Sequence, residues 1–294
     1  MKIILGIDAK GDYSPAMCFL HRLKVPQPQV TLVHAADTNL PMPSFGAFEA
    51  SQVASYSNAM ENIGRDALDR AVDDACNHHM KPKMLLMFGS PAASLIAAAE
   101  SEKAELVAVR ATHEGRWSHT FLGSISRALA LGCPTNVLIV KGDEAPKHDG
   151  YTAVFATDHS PYADRALDRF LSMGLQGVST IHVISAINLN EWTSDVLNRA
   201  LPMLDGKVNE HVREEVEARN AAAVEKIRRA GYAASAQILF NDPNTAIHEA
   251  MRTTKADFLV IGAQGHGFFE RVLVGSVALH QVVAEEYSVM LIRA

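Results

Sequence analysis

Four residues, Gly262, Gly265, Gly275 and Ser276, are spaced G-x2-G-x9-G-S, with Gly267 and Val277 beside them. Glycine lets a backbone turn with positive φ and lets a ligand approach it closely. A serine that opens a helix offers a hydroxyl beside N–H groups with no acceptor inside the helix, where the helix dipole also favours negative charge. The chemistry these types suit is anion capture, above all of a phosphate. His266 and Arg271 fall within the same stretch and either add charge near a phosphate or stand as exposed loop side chains.

The elements that must position this loop are legible around it. Phe258-Leu259-Val260-Ile261 is an apolar run that reads as a buried strand, and a helical pattern begins at Ser276. No Gly-Lys-Ser/Thr follows the loop, so a Walker-type P-loop is excluded, and the spacing departs from G-x-G-x-x-G. The Ser-Gly-Gly-x-Asp-Ser loop of adenylating PP-loop enzymes is absent too. The matching places hold Asp158-His159-Ser160-Pro161 and Asp8-Ala9-Lys10-Gly11.

The chain writes one pattern twice. In the first half, strands are expected at 2–7, 30–33, 84–88, 106–109 and 137–140, with helix starts at Ser14-Pro15, Ser90-Pro91 and Gly123-Ser124. Residues 37–57, holding Pro41, Pro43 and Gly46, read as a long surface loop ahead of a helix from Asn58. After a polar break at 141–150 the order recurs, with strands at 154–157, 180–184, 237–240, 258–261 and 289–292. Ser160-Pro161 and Asp242-Pro243 repeat the cap-plus-proline starts, and residues 188–206 read as a variable stretch. Strands alternating with helices, and apolar without period-two polarity, indicate parallel sheets buried on both faces. Two domains follow, 1–143 and 150–294, each a doubly wound five-stranded α/β unit. In such sheets ligands sit beyond the carboxyl ends of the strands at the switch point.

Composition bounds the class. The chain has 294 residues, 48% hydrophobic and 20% charged, which suits two ordinary globular domains. A net charge of −6 argues against nucleic acid or an anionic membrane surface as partner. The opening apolar run Ile3-Ile4-Leu5 is cut by Gly6 and Asp8, too early for a signal or a span. Three scattered cysteines, Cys18, Cys76 and Cys133, fit a reducing cytoplasm. Cys76 is placed on an apolar helix stripe with Ile63, Leu68, Val72 and Ala75, and His78-His79 are adjacent and diverge on a helix, unlike metal ligands.

The glycine spacing, its place between strand and helix, and the repeat together resemble the universal stress protein family, in the subset whose members bind ATP. The whole chain is similar to two such Rossmann-like domains in tandem. The resemblance implies that Asp158, ending the first strand, and Val183, near the end of the second, frame the adenosine of an ATP or another adenine nucleotide. It implies that Gly262, Gly265, Gly267, Gly275, Ser276 and Val277 hold ribose and phosphates, with or without magnesium. An aspartate at a strand end also caps the following turn with no ligand present. Ala278 stands where ATP-binding members often carry threonine. In the first half, aligning Gly123-Ser124 with Gly275-Ser276 puts Arg110 opposite Gly262 and His113 opposite Gly265, so that loop is degenerate; Gly115 matches Gly267 and Ser126 stands at the threonine place.

These readings imply a cytoplasmic nucleotide sensor or regulatory module, built as an intramolecular pseudo-dimer, with homo-oligomerisation and protein partners left open. Neither an evident general base nor a Walker aspartate is present. Slow ATP hydrolysis, with Asp158 or His266 positioning water, and a nucleotide-free interaction module are the alternatives.

Overall fold

A computed structural model of the chain describes residues 1–37, 50–111, 123–142, 150–189, 191–204, 206–264 and 274–294. They form two compact units, one of Met1–Asp143 with Val282–Glu286, the other of Glu144–Gln281 with Tyr287–Ala294.

The first unit runs β1 (Lys2–Gly6), α1 (Ser14–Arg22), β2 (Gln29–Ala36), α2 (Ala50–Asn77), β3 (Lys83–Phe88), α3 (Pro91–Glu102), β4 (Leu106–Arg110), α4 (Ser124–Gly132) and β5 (Asn136–Val140). All its strand pairs are parallel, in the order β3-β2-β1-β4-β5. The second repeats the plan with β6 (Tyr151–Ala156), α5 (Pro161–Ser172), β7 (Val178–Ala186), α6 (Glu191–Ala200), a 3-10 turn at Pro202–Leu204, α7 (Val208–Arg229), β8 (Ala233–Leu239), α8 (Pro243–Thr254), β9 (Phe258–Gly262), α9 (Ser276–Ala284) and β10 (Ser288–Ile292). Its order is β8-β7-β6-β9-β10, again parallel throughout. Every residue of β5, β6, β9 and β10 is buried, which is why these strands read as unbroken apolar runs.

Several elements depart from expectation. α2 begins at Ala50, eight residues before the expected Asn58, and α6 forms inside the stretch 188–206. Its apolar positions, such as Trp192 and Val196, lie four apart but stay exposed, so burial gave no signal there. Of the expected stripe, Leu68 and Ala75 are buried, together with Ala67 and Ala71, while Cys76 and Ile63 are exposed. α3 and α8 end on Lys103 and Lys255, both left-handed at φ 52° and 53°. Neither stop carries the glycine that usually marks one.

The helix starts also divide by chemistry. Ser160 accepts a hydrogen bond from the Ala163 N–H at 3.2 Å, and Asp242 accepts from Asn244 and Thr245. Ser90 has the extended backbone of a cap, but its hydroxyl makes no cap bond, and Ser14 lies inside α1 with Tyr13 in the cap place. Ser160→Ala should therefore cost about 1 kcal/mol of stability and Ser90→Ala close to nothing, as read from urea midpoints. Equal losses at both positions would contradict the geometry.

Candidate functional site

In the second unit a cleft of about 250 Å³ opens at the carboxyl ends of β6, β7 and β9, where the sheet order reverses. Asp158, Gly262, Gly275, Ser276 and Val277 all line it, so residues more than a hundred positions apart meet at one cleft. Ile184, Ile247 and Ile261 supply an apolar wall. Gly265, His266, Gly267 and Arg271 lie outside the described residues, as do His113, Gly115, Arg116 and His119.

Val183 does not join them. Its side chain is fully buried, and the cleft is lined by Ile184 and Ala186. β7 extends to Ala186, and Ile184 pairs with Ala156 at the end of β6. With side chains alternating along a strand, the cleft face of β7 falls on the even positions. The expected strand ends at Ile184, two residues short of the observed end, and Ile184 rather than Val183 faces the cleft.

Asp158 both holds the turn and lines the cleft. One carboxylate oxygen accepts the Ser160 N–H at 3.0 Å while the residue itself is exposed on the cleft wall. Gly262 has reason to be glycine before any ligand enters. A Cβ there would lie 3.2 Å from the Tyr162 ring and 3.3 Å from the Gln264 carbonyl oxygen. Gly275 differs from the expectation of free loop amides, because its N–H donates to the Ala263 carbonyl at 2.8 Å and closes the loop at its base. Among the described residues, the amides that remain for an anion are those of the first turn of α9, from Ser276 onward.

The first unit carries the same cleft with different chemistry. It measures about 230 Å³ and is lined by Asp8, Val33, Leu95, Val109, Arg110 and Ile125, among others. Strand register puts Arg110 opposite Val140, as Gly262 stands opposite Ile292, which supports the sequence alignment of Arg110 with Gly262. The Arg110 guanidinium donates to the Val140 carbonyl at 3.2 Å; in the second unit the Tyr162 hydroxyl donates to the equivalent Ile292 carbonyl at 3.3 Å. The Arg110 guanidinium thus bonds, in the first unit, the carbonyl that the Tyr162 hydroxyl bonds in the second.

Next to the second cleft lies a buried polar cluster that the sequence did not flag. The His159 ring meets Ser185 and Asn220, with Nε2 3.0 Å from Ser185 Oγ and 3.1 Å from Asn220 Oδ1. Burial pushes its imidazole below the ordinary value of 6.5, against an opposing upward pull from the hydrogen bond to Asn220. His159 carries φ 54°, and a left-handed histidine has no marker in sequence that glycine would give. Among the described residues no group of three or more histidine, cysteine or acidic side chains is placed to hold a metal ion. No helix among them is long and apolar enough to cross a membrane.

Two doubly wound parallel units, each with a cleft at its switch point, define a tandem α/β architecture. The model of the universal stress protein family matches residues 1–141 and again 152–293, and the chain belongs to that family as a tandem two-domain member. The crystal structure of a universal stress protein from Archaeoglobus fulgidus DSM 4304 is similar over 99% of this chain and 98% of that one, with TM-score 0.68 and 17% identity. A universal stress protein structure from Pseudomonas aeruginosa UCBPP-PA14 covers 99% and 92%, with TM-score 0.64 and 16% identity. At such identities the likeness concerns the fold. A universal stress protein A-like protein of Arabidopsis thaliana is 36% identical over 70 residues, spanning 24% of this chain and 40% of that protein's length.

Proposed function

We propose that the chain binds an adenine nucleotide in the cleft of its second unit and acts as a cytoplasmic sensor or regulatory module in a stress response. The observation that carries this is the convergence of Asp158, Gly262, Gly275 and Ser276 on one cleft at the head of α9. The apolar wall suits a flat base, Asp158 suits hydrogen-bond donors on base or sugar, and the first turn of α9 suits a phosphate. Gly262, where a Cβ already crowds its neighbours, fits a backbone that a ligand approaches closely. Magnesium, if it accompanies the nucleotide, is best held by the phosphates, because Asp158 is the one carboxylate among the described lining residues.

The first unit is proposed not to bind nucleotide in the same way, since Arg110 replaces Gly262. Isothermal titration with ATP is expected to give a stoichiometry near one per chain. A value near two would show that Arg110 is compatible with nucleotide after all. Ser276→Ala should weaken ATP by about 1 kcal/mol, five- to tenfold, through loss of one hydrogen bond at the helix start. A turnover assay with purified protein separates a sensor, which keeps ATP intact, from a hydrolase.

A further inference from the structure

His159 stands between Asp158 on the cleft wall and Ser160, the cap of α5. Its φ of 54° is a conformation that side-chain-bearing residues disfavour, so something must hold it there. Its ring is buried to 8% exposure, against Ser185 and Asn220, each 3% exposed. Ser185 Oγ donates to Asn220 Oδ1 at 2.9 Å, and the ring, carrying its proton on Nε2, donates into the same pair. The backbone is tied as well: the His159 N–H donates to Thr157 Oγ1 at 2.9 Å, and its carbonyl accepts from Arg219 at 3.1 Å. One residue thus fastens the turn of 157–160 to β7 and α7 together.

The first unit separates what the fold requires from what is added. Ala9 follows Asp8 there, and its carbonyl accepts from Arg70 of α2 at 3.0 Å, so the arginine clamp is present in both repeats. The ring latch is not, because alanine has no group to reach β2 or α2. An imidazole does occupy that region, but it comes from the strand: His34 donates from Nδ1 to the Ile7 carbonyl at 2.9 Å, packed under Gly64. The same architecture therefore stands without a latch at the turn.

We propose that His159 is a positioning residue whose ring, latched to Ser185 and Asn220, holds the 157–160 turn and with it the Asp158 carboxylate at the cleft. The identity of the ligand rests on the reading above; the latch itself does not. The charged groups facing His159 are Asp158 on its own turn, Asp164 on α5 and Arg219 on α7, while β7 and α7 otherwise present the uncharged Ser185 and Asn220. Burial lowers the pKa most; the Asn220 hydrogen bond and then the two carboxylates favour the imidazolium, Arg219 opposes it, and the net shift is downward. The latched state thus has the lower pKa. Its advantage over the unlatched state is complete above about 6.5 and is lost as pH falls from there through the latched value.

The test has a ligand-free arm and a binding arm. The first measures the hydrogen-exchange protection factor of the Ser160 N–H, which donates to Asp158 at 3.0 Å. The second titrates adenosine, which lacks the phosphate groups that would themselves titrate, at about pH 7.5 and about pH 5.5. In the unsubstituted protein, protection should fall at the lower pH and adenosine should bind more weakly. His159→Asn tolerates the left-handed backbone but is too short to reach Asn220. It should lose the protection at both values and bind weakly with no dependence on pH. Asn220→Ala, which leaves the turn sequence intact, should behave alike. Unchanged Ser160 protection in folded His159→Asn would overturn the proposal, as would unchanged adenosine affinity in that variant where the unsubstituted protein binds adenosine, even if thermal stability fell. If the unsubstituted protein bound neither adenosine nor ATP, the nucleotide reading would fall, and the exchange arm would still decide the latch.

Discussion

Gly262→Val is expected to abolish measurable ATP binding in titration, weakening it about 100-fold or more while the protein stays folded. The reasoning is steric at two levels. A single Cβ at this place already stands 3.2 Å from the Tyr162 ring and 3.3 Å from the Gln264 carbonyl. Tyr162 cannot simply swing away, since its hydroxyl donates to Ile292 and accepts from the Ala294 N–H. The two further methyls of valine must then project into the cleft, where backbone would otherwise face the ligand. The native state also bears some overpacking, about 1–3 kcal/mol, so circular dichroism and a melting curve belong beside the titration. Folded Gly262→Val with native affinity would mean the nucleotide, if bound, lies elsewhere.

The second large effect concerns the scaffold. Phe258→Ala should lower stability by about 3–5 kcal/mol, a sizeable part of what holds a domain of this size together. Phe258 opens β9, is fully buried, and meets the Tyr151 ring edge-on at 6.0 Å and 81°. Truncation leaves a void between β6 and β9, the pair whose far ends carry Asp158 and Gly262. Phe258→Leu, which keeps most of the volume, should cost no more than about 1.5 kcal/mol. Because the chain has two units, the loss is best read from amide exchange within β6 and β9 rather than from one global transition. Exchange there unchanged by the alanine would place the core contribution of Phe258 elsewhere.

Much of this was written in local chemistry. Continuous apolar runs such as Phe258–Ile261 specify strands buried on both faces, and Ser160-Pro161 and Asp242-Pro243 specify helix starts that the structure honours with cap bonds. Two copies of that order make a tandem of parallel α/β units legible without any tertiary information. Gly262, Gly275 and Ser276 of the glycine spacing likewise line one cleft, and a Cβ at Gly262 would press on the Tyr162 ring.

What the sequence left open depended on phase, reach and burial. Composition does not say which of two adjacent apolar residues near a strand end turns to the cleft; here Ile184 and Ala186 line it and Val183 faces the core. Left-handed stops at Lys103 and Lys255 carry no glycine to announce them, because surrounding structure, not residue preference, holds them there. α6 forms although its Trp192 and Val196 remain exposed, so helical spacing without burial was read as irregular chain. The cluster of His159, Ser185 and Asn220 draws on residues 26 and 35 positions apart, each unremarkable alone. A buried polar network exists only once the chain has brought its donors and acceptors together. Local sequence thus determined which elements form and in what order, and tertiary packing decided which face each one turns to the cleft.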